Sequence, residues 1–110
     1  MNLNNIEILI DQYIEDELRP IAEKMKADMM AAVQDKRFPL AVKLIVETNA
    51  CTTGQLQRQL HVGYGKAAIF IDVMEALGMV TKVRVKSDND PVQQRQVLPP
   101  AKDYLEYLAQ

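Results

Sequence analysis

The stretch "TTGQLQRQLHVGYGKAAIFIDVMEALG", residues 52–78, decides the predicted fold because it contains two short helices around a glycine-containing turn. Thr52 is a good N-cap, and Gln55 follows three residues later, at the spacing of a capping box. The two leucines that come next are four residues apart and therefore share one helical face. A first helix is predicted over about residues 53–60.

The second helix of this stretch follows the turn "HVGYG" and is predicted over about residues 64–77. Gly78 ends it, since glycine readily adopts the left-handed conformation found after many helix C-termini. Two short helices joined by a tight turn are typical of a helix-turn-helix, in which the second helix contacts DNA. The function of the chain is therefore expected to depend on helix 64–77.

The elements on either side complete a winged helix-turn-helix. Upstream, "FPLAVKLIVET" predicts a helix over about residues 39–47, and Asn49 offers a left-handed exit from it. Downstream, "MVTKVRVK" and "QQRQVL" are predicted strands, which the turn "SDNDP" joins into a basic wing over residues 79–97. A short amphipathic helix follows Pro99 and Pro100. The predicted fold class is mainly α with a small β-hairpin.

An apolar stripe at helical spacing runs through the first third of the chain. Its members are Ile6, Ile10, Ile14, Leu18, Ile21, Met25, Met29 and Ala32. Pro20 interrupts the stripe, which predicts two helices over about residues 4–18 and 20–34, or one kinked helix. Neither helix buries its apolar side alone. The stripe either packs onto the domain that follows or forms the seam of a homodimer through residues 1–34.

The charge distribution supports a division into an N-terminal extension, residues 1–35, and a winged-helix domain with its C-terminal helix, residues 36–110. The whole chain carries a net charge of −2. The extension holds eight acidic residues against three basic ones, whereas the second part holds ten basic residues against seven acidic ones. Such asymmetry can mark a nucleic-acid-binding part beside an acidic interaction part, and a solvated surface produces it about as often.

Composition and isolated side chains exclude several classes of function. Apolar residues make up 48% of the chain and charged residues 25%, which fits a folded domain. The chain has no signal-peptide pattern, no stretch that approaches a membrane span, and a single cysteine, Cys51, so a cytoplasmic location is expected. His61 has no second ligand at metal-binding spacing. We expect no metal, no cofactor and no enzymatic activity.

From about residue 38 to residue 98, the chain resembles the C-terminal gamma domain of the bacterial DNA translocase FtsK. The resembling stretches are "AVKLIVET", "TTGQLQRQLHVGYGKAA" and "IDVMEALGMV". The family's central motif is matched in order and spacing by Leu56, Gln57, Arg58, Gly63, Tyr64, Ala67, Ala68, Ile71 and Asp72. The resemblance implies a winged helix that binds short oriented G-rich DNA sequences and contacts a site-specific recombinase. The phosphate loop GxxxxGK(S/T) of a motor domain is absent from this sequence.

Three positions of the second helix depart from that family's pattern. Gly65 replaces an asparagine, Lys66 replaces an arginine, and Ile69 replaces a second arginine. The side of this helix opposite the predicted core is here called the reading face: Lys66, Ile69, Val73 and Ala76. Arginine reads guanine through a bidentate fork, so its loss removes roughly 1–3 kcal/mol of discrimination per base pair. Recognition of G-rich DNA in the family's manner is therefore weakened.

Two functions remain open for the winged helix. In the first, the helix 64–77 and the basic wing bind duplex DNA. The predicted contact residues are Thr52, Thr53, Arg58, Tyr64, Gly65, Lys66, Ile69, Lys82, Arg84, Lys86 and Arg95. In the second, it is a protein-interaction or dimerisation module that does not bind DNA and uses the Ile69/Val73 face. A DNA binder keeps Lys66 exposed on one surface with the wing cations, whereas an interaction module buries Ile69 and Val73 under another helix.

Overall fold

The computed structural model describes residues 3–17, 22–81 and 95–109 of the chain. These ranges contain six helices: α1 (Leu3–Glu17), α2 (Ala22–Gln34), α3 (Phe38–Thr48), α4 (Thr53–Leu60), α5 (Tyr64–Ala76) and α6 (Pro99–Leu108). The prediction of a mainly helical chain is confirmed. Each predicted helix is present, and its ends differ from the prediction by at most about two residues.

Local signals set the ends of the central helices. The side chain of Thr52 accepts the N–H of Gln55 at 3.1 Å, and the Gln55 side chain accepts the N–H of Thr52 at 3.3 Å, which confirms the capping box. Asn49 ends α3 in the left-handed conformation with φ 52°, as predicted, and His61 ends α4 with φ 55°. Gly78 has φ 73° two residues after α5, so the chain turns away there.

The predicted β-hairpin is not supported by the described residues. Within them, one isolated antiparallel bridge joins Val80, just after α5, to Val97, just before α6. Residues 82–94, the remainder of the predicted wing, lie outside the described ranges. They include three of the predicted contact residues, Lys82, Arg84 and Lys86.

Buried side chains from all six helices form one core. Phe38 of α3 is fully buried, and its ring lies edge-on to the rings of Phe70 and Tyr104, with centroids 5.7 Å away in each case. These aromatic contacts connect α3 to α5 and to α6. α4 packs against α5, as expected for a helix-turn-helix pair, and α3 packs against α6.

The N-terminal helices α1 and α2 pack on each other and on α5 of the same chain. Ile10 and Met29, in the middle of the apolar stripe, are at most 1% exposed. Each such side chain contributes roughly 1.5–3 kcal/mol to folding by leaving water. Packing onto the following domain is therefore the alternative that the structure supports. The described side chains of the stripe are thus covered within one chain, and Leu18 and Ile21 lie outside the described residues.

The prediction that Val73 lies on an exposed face of α5 is wrong. Its side chain is fully buried, and Ile69 is half-buried against the core. The physical reason is that α2 packs closely against α5, so the helix is covered on a second side besides the one that meets α3 and α4. A helix covered in this way is apolar around most of its circumference.

Candidate nucleic-acid interface

The starts of α4 and α5 line a common groove of about 300 Å³. Thr52, Thr53 and Tyr64 line this groove together with the charged residues Asp72 and Arg95, and Tyr64 is 67% exposed. Gly63 precedes α5 in an extended conformation and gives the helix no side-chain cap. The first N–H groups of a helix carry partial positive charge. Hydroxyl groups and helix-start N–H groups together suit an anionic ligand such as a backbone phosphate.

Lys66 lies in the first turn of α5, and its ammonium group is paired with a carboxylate. Its Nζ lies 2.9 Å from Oδ2 of Asp35, in the link between α2 and α3. The same Oδ2 lies 3.2 Å from Nη2 of Arg37, whose backbone N–H donates to Oδ1 of Asp35 at 2.8 Å. The side chain of Lys66 is 43% exposed, so the lysine remains at the surface with its charge matched.

Three donors hold Asp35 in its ionised form. The side chain of Arg37, the backbone N–H of Arg37 and the ammonium of Lys66 hold the pKa of this carboxyl well below its usual range, and burial acts in the opposite direction. Because folding lowers this pKa, the contact stabilises the folded state above the unfolded-state pKa and is lost as the solution becomes more acidic. At neutral pH the carboxylate is therefore charged.

α2 covers the part of the reading face that follows Lys66. Ala31 and Ala32 of α2 line a cavity of about 290 Å³ together with Ile69 and Phe70 of α5. Asp35 and Lys66 also line this cavity. Ile69, a predicted DNA contact, therefore lies against α2. Val73 follows one turn later on the same side of α5 and is fully buried.

α1 reaches the C-terminal half of α5 through Tyr13. The Tyr13 hydroxyl donates to Oε2 of Glu75 at 2.7 Å and to Oδ1 of Asp72 at 3.4 Å. Oε1 of Glu75 lies 2.9 Å from Nη1 of Arg95, and these two side chains are only 8% and 17% exposed. Arg95 also donates to the carbonyl oxygen of Thr81 at 3.1 Å. Arg95, another predicted DNA contact, is thus held in an ion pair, and it also lines the groove at the starts of α4 and α5.

The predicted contact residues fall into three groups. The first group lies at the start of α4, in its last turn and at the start of α5: Thr52, Thr53, Arg58, Tyr64 and Gly65. Arg58 is exposed, with its guanidinium beside Gly54 in the first turn of α4. The second group is in contact with other parts of the chain: Lys66, Ile69 and Arg95. The third group lies outside the described ranges: Lys82, Arg84 and Lys86.

Sequence reasoning missed two acids that pair with cations of the second group, Asp35 and Glu75. It also missed the residues that hold these acids, Arg37 and Tyr13. One usable signal was the pair of acids on α5 itself. Asp72 and Glu75 flank the reading face, and acids on a helix meant for DNA require partners that neutralise them. No comparable signal identified Asp35, because pairing between residues 31 positions apart depends on how α2 packs.

No separate chemical site is found beside this interface. Cys51 lies in the groove wall but is 1% exposed, and burial raises the pKa of its thiol to about 11, so it stays protonated at neutral pH. Within the described residues, no three His, Cys, Asp or Glu side chains are placed to hold a metal ion. None of the helices in the described ranges is long and apolar enough to cross a membrane.

Comparison with known proteins confirms the resemblance noted in the sequence. The family described as the Ftsk gamma domain matches residues 32–99. The DNA translocase SftA of Bacillus subtilis is 41% identical over 51 residues, which cover 46% of this chain and 5% of that protein. The DNA translocase FtsK of Halalkalibacterium halodurans is 32% identical over 79 residues, which cover 68% of this chain and 10% of that protein.

A third relative extends the similarity further along the chain. The DNA translocase FtsK of Clostridium tetani is 32% identical over 92 residues, which cover 84% of this chain and 11% of that protein. The chain thus matches about a tenth or less of the length of these translocases. The family match covers more than half of the 110 residues, including all of α3, α4 and α5. The chain belongs to the FtsK gamma domain family.

Proposed function

We propose that this protein binds duplex DNA through the starts of α4 and α5. The observation that carries the proposal is the groove at which these two helix starts meet, with Thr52, Thr53 and the exposed Tyr64 around it. Backbone phosphates bind hydroxyl groups and helix-start N–H groups in this way. Arg58, in the last turn of α4, adds an exposed guanidinium that is within ion-pair distance of no described carboxylate.

A winged helix is part of this proposal. Two backbone hydrogen bonds flank the bridge between Val80 and Val97: the N–H of Thr81 donates to the carbonyl of Gln96 at 3.0 Å, and that of Leu98 to Met79 at 2.8 Å. This antiparallel pairing is what the base of a two-stranded wing requires. We also propose that three cations of the predicted wing add phosphate contacts: Lys82, Arg84 and Lys86.

Binding of this kind is weakly selective for sequence and strongly dependent on salt. Base readout needs hydrogen-bond donors on and beside the reading face. At these positions Gly65, Lys66 and Ile69 replace an asparagine and two arginines of the family pattern. Phosphate contacts carry no sequence information and weaken as salt rises. We propose a non-catalytic DNA-binding role in the cytoplasm and assign none of the relatives' translocase activity to this chain.

The alternative, an interaction module that does not bind DNA, is favoured by one observation. Val73 is fully buried and Ile69 is half-buried, as that alternative requires. The covering helix, however, belongs to the same chain, so the Ile69/Val73 face is not offered to another protein in this conformation. For the same reason, a homodimer through the apolar stripe of residues 1–34 is not included in the proposal.

The proposal is tested by fluorescence anisotropy with labelled random-sequence duplexes at low and moderate salt. We expect micromolar binding that weakens with salt, in the range of non-specific contacts. Arg58→Ala is expected to weaken binding and to reduce the slope of log affinity against log salt by about 0.9, the effect of one lost phosphate contact. Lys102→Ala on α6 removes the same charge from an exposed position and is the matched control.

Two results would contradict this assignment. Absence of binding to the duplex at low salt would refute the proposed DNA-binding function. Equal losses in the Arg58→Ala and Lys102→Ala variants would mean that net charge, and not the edge formed by α4 and α5, determines affinity.

A further inference from the structure

We propose that Lys66 and Arg37 form a binding site for a DNA backbone phosphate, and that the carboxylate of Asp35 fills this site in the free protein. The inference rests on the proposed DNA-binding function and adds to it a site and an internal competitor. Arg37 belongs to the link between α2 and α3, and Lys66 to the first turn of α5. The site therefore exists only because α2 is packed beside α5.

The geometry around Asp35 is that of an anion held by two cations. One oxygen, Oδ2, is shared by the Lys66 ammonium at 2.9 Å and the Arg37 guanidinium at 3.2 Å. The other oxygen, Oδ1, accepts from Nε of Arg37 at 3.3 Å and from its backbone N–H at 2.8 Å. An arginine fork and a lysine converging on one oxyanion are the groups with which proteins bind phosphate.

Exposure distinguishes the cations from the carboxylate that joins them. The side chains of Lys66 and Arg37 are 43% and 36% exposed, whereas that of Asp35 is 16% exposed. A phosphate can therefore approach both cations from solvent. As it does so, it meets the negative charge of Asp35, and like charges in contact repel. The carboxylate thus lowers the affinity of the site that it occupies.

The variant Asp35→Asn separates the charge of this residue from its role in the chain turn. Asparagine keeps an oxygen that accepts the backbone N–H of Arg37, so the link between α2 and α3 is preserved. It removes the negative charge between Lys66 and Arg37. Asp103→Asn is the matched control, because Asp103 is exposed on α6 and has no ion pair among the described residues.

The experiment titrates random-sequence duplex with wild type, Asp35→Asn, Asp103→Asn and the double variant Asp35→Asn/Lys66→Ala over a range of salt. We expect Asp35→Asn to bind about tenfold more tightly, with a salt slope steeper by about 1–2, as one or two cations gain a phosphate. Asp103→Asn stays close to wild type. The double variant loses the gain, because one of the two cations is removed.

The outcomes separate this inference from the proposed function. If wild type binds DNA and Asp35→Asn binds with the same affinity and slope, the phosphate site is refuted and DNA binding stands. If Asp35→Asn binds and wild type does not, the inference is supported in its strongest form. If neither protein binds at low salt, both ideas fail.

A second measurement distinguishes DNA phosphate from free phosphate. The thermal unfolding of Asp35→Asn is followed in sodium phosphate and in sodium chloride at equal ionic strength. Greater stability in phosphate, together with the expected gain in duplex affinity, supports a phosphate site used by DNA. Greater stability in phosphate with unchanged duplex affinity overturns the assignment to DNA.

Discussion

Val73→Asp is expected to lower the free energy of unfolding by about 3 kcal/mol or more, because it places an unpaired charge at a fully buried position of α5. Val73 is fully buried, although its place in the helix-turn-helix pattern predicts exposure. Since small domains are stable by about 5–15 kcal/mol, much of the protein should unfold in mild denaturant. Urea unfolding followed by circular dichroism measures the loss.

Ile8→Asp provides the matched control for this substitution. Ile8 lies on the outer side of α1 and is 54% exposed, so the same change of an apolar residue to aspartate meets water there. We expect its effect to stay within about 0.5 kcal/mol. If Val73→Asp proves as stable as Ile8→Asp, Val73 is exposed in solution and this side of α5 is not covered.

Glu75→Ala is expected to lower the free energy of unfolding by about 3 kcal/mol, because it leaves a mostly buried guanidinium without its counter-charge. Glu75 pairs with Arg95 and accepts from the Tyr13 hydroxyl, and its side chain is 8% exposed. Glu75→Gln keeps acceptor capacity for Tyr13 while removing the charge, so its loss should be smaller. Thermal and urea unfolding of both variants give the comparison.

A double-mutant cycle tests whether this loss comes from the ion pair. The cycle combines Glu75→Ala with Arg95→Ala. The loss of unfolding free energy in the double variant should be smaller than the sum of the two single losses. A loss below about 0.5 kcal/mol for Glu75→Ala would place this carboxylate in water, where ion pairs contribute little.

The order and ends of the helices followed from the sequence because local interactions determine them. The capping box at Thr52, the left-handed exit at Asn49 and the glycine after α5 act within a few residues. The wing was not predictable to the same degree. Strand pairing joins residues as distant as Val80 and Val97, and in the described part of the chain only this bridge is formed.

Local sequence patterns do not show that α2 covers α5. The apolar stripe of α1 and α2 required a partner but did not specify whether it came from the same chain. The sequence of α5 contained a clue, because "AAIFIDVMEAL" is apolar on more sides than a helix with one buried face needs. The prediction that the Ile69–Val73 side is exposed assumed a helix with one buried face. It also followed the family pattern, in which an arginine stands at the position of Ile69.

The contacts of the predicted DNA-binding residues depend on the same packing. Lys66 and Arg95 were predicted as DNA contacts, and each is paired with an acid that is distant in the sequence, Asp35 and Glu75 respectively. Only a three-dimensional arrangement brings Asp35 to Lys66. The positions of the starts of α4 and α5 depend on local sequence and were predicted from it, whereas their role in DNA binding stays a prediction.

The central claim is that α2 covers the reading face of α5 within one molecule, and methyl nuclear Overhauser effects test it most directly. Ile69 lines one cavity with Ala31 and Ala32, so cross-peaks between their methyl groups are expected in uniformly labelled protein. An isotope-filtered spectrum of mixed labelled and unlabelled protein should lack these peaks, because the contact is intramolecular. Their absence from the first spectrum, or their appearance in the second, would contradict the account.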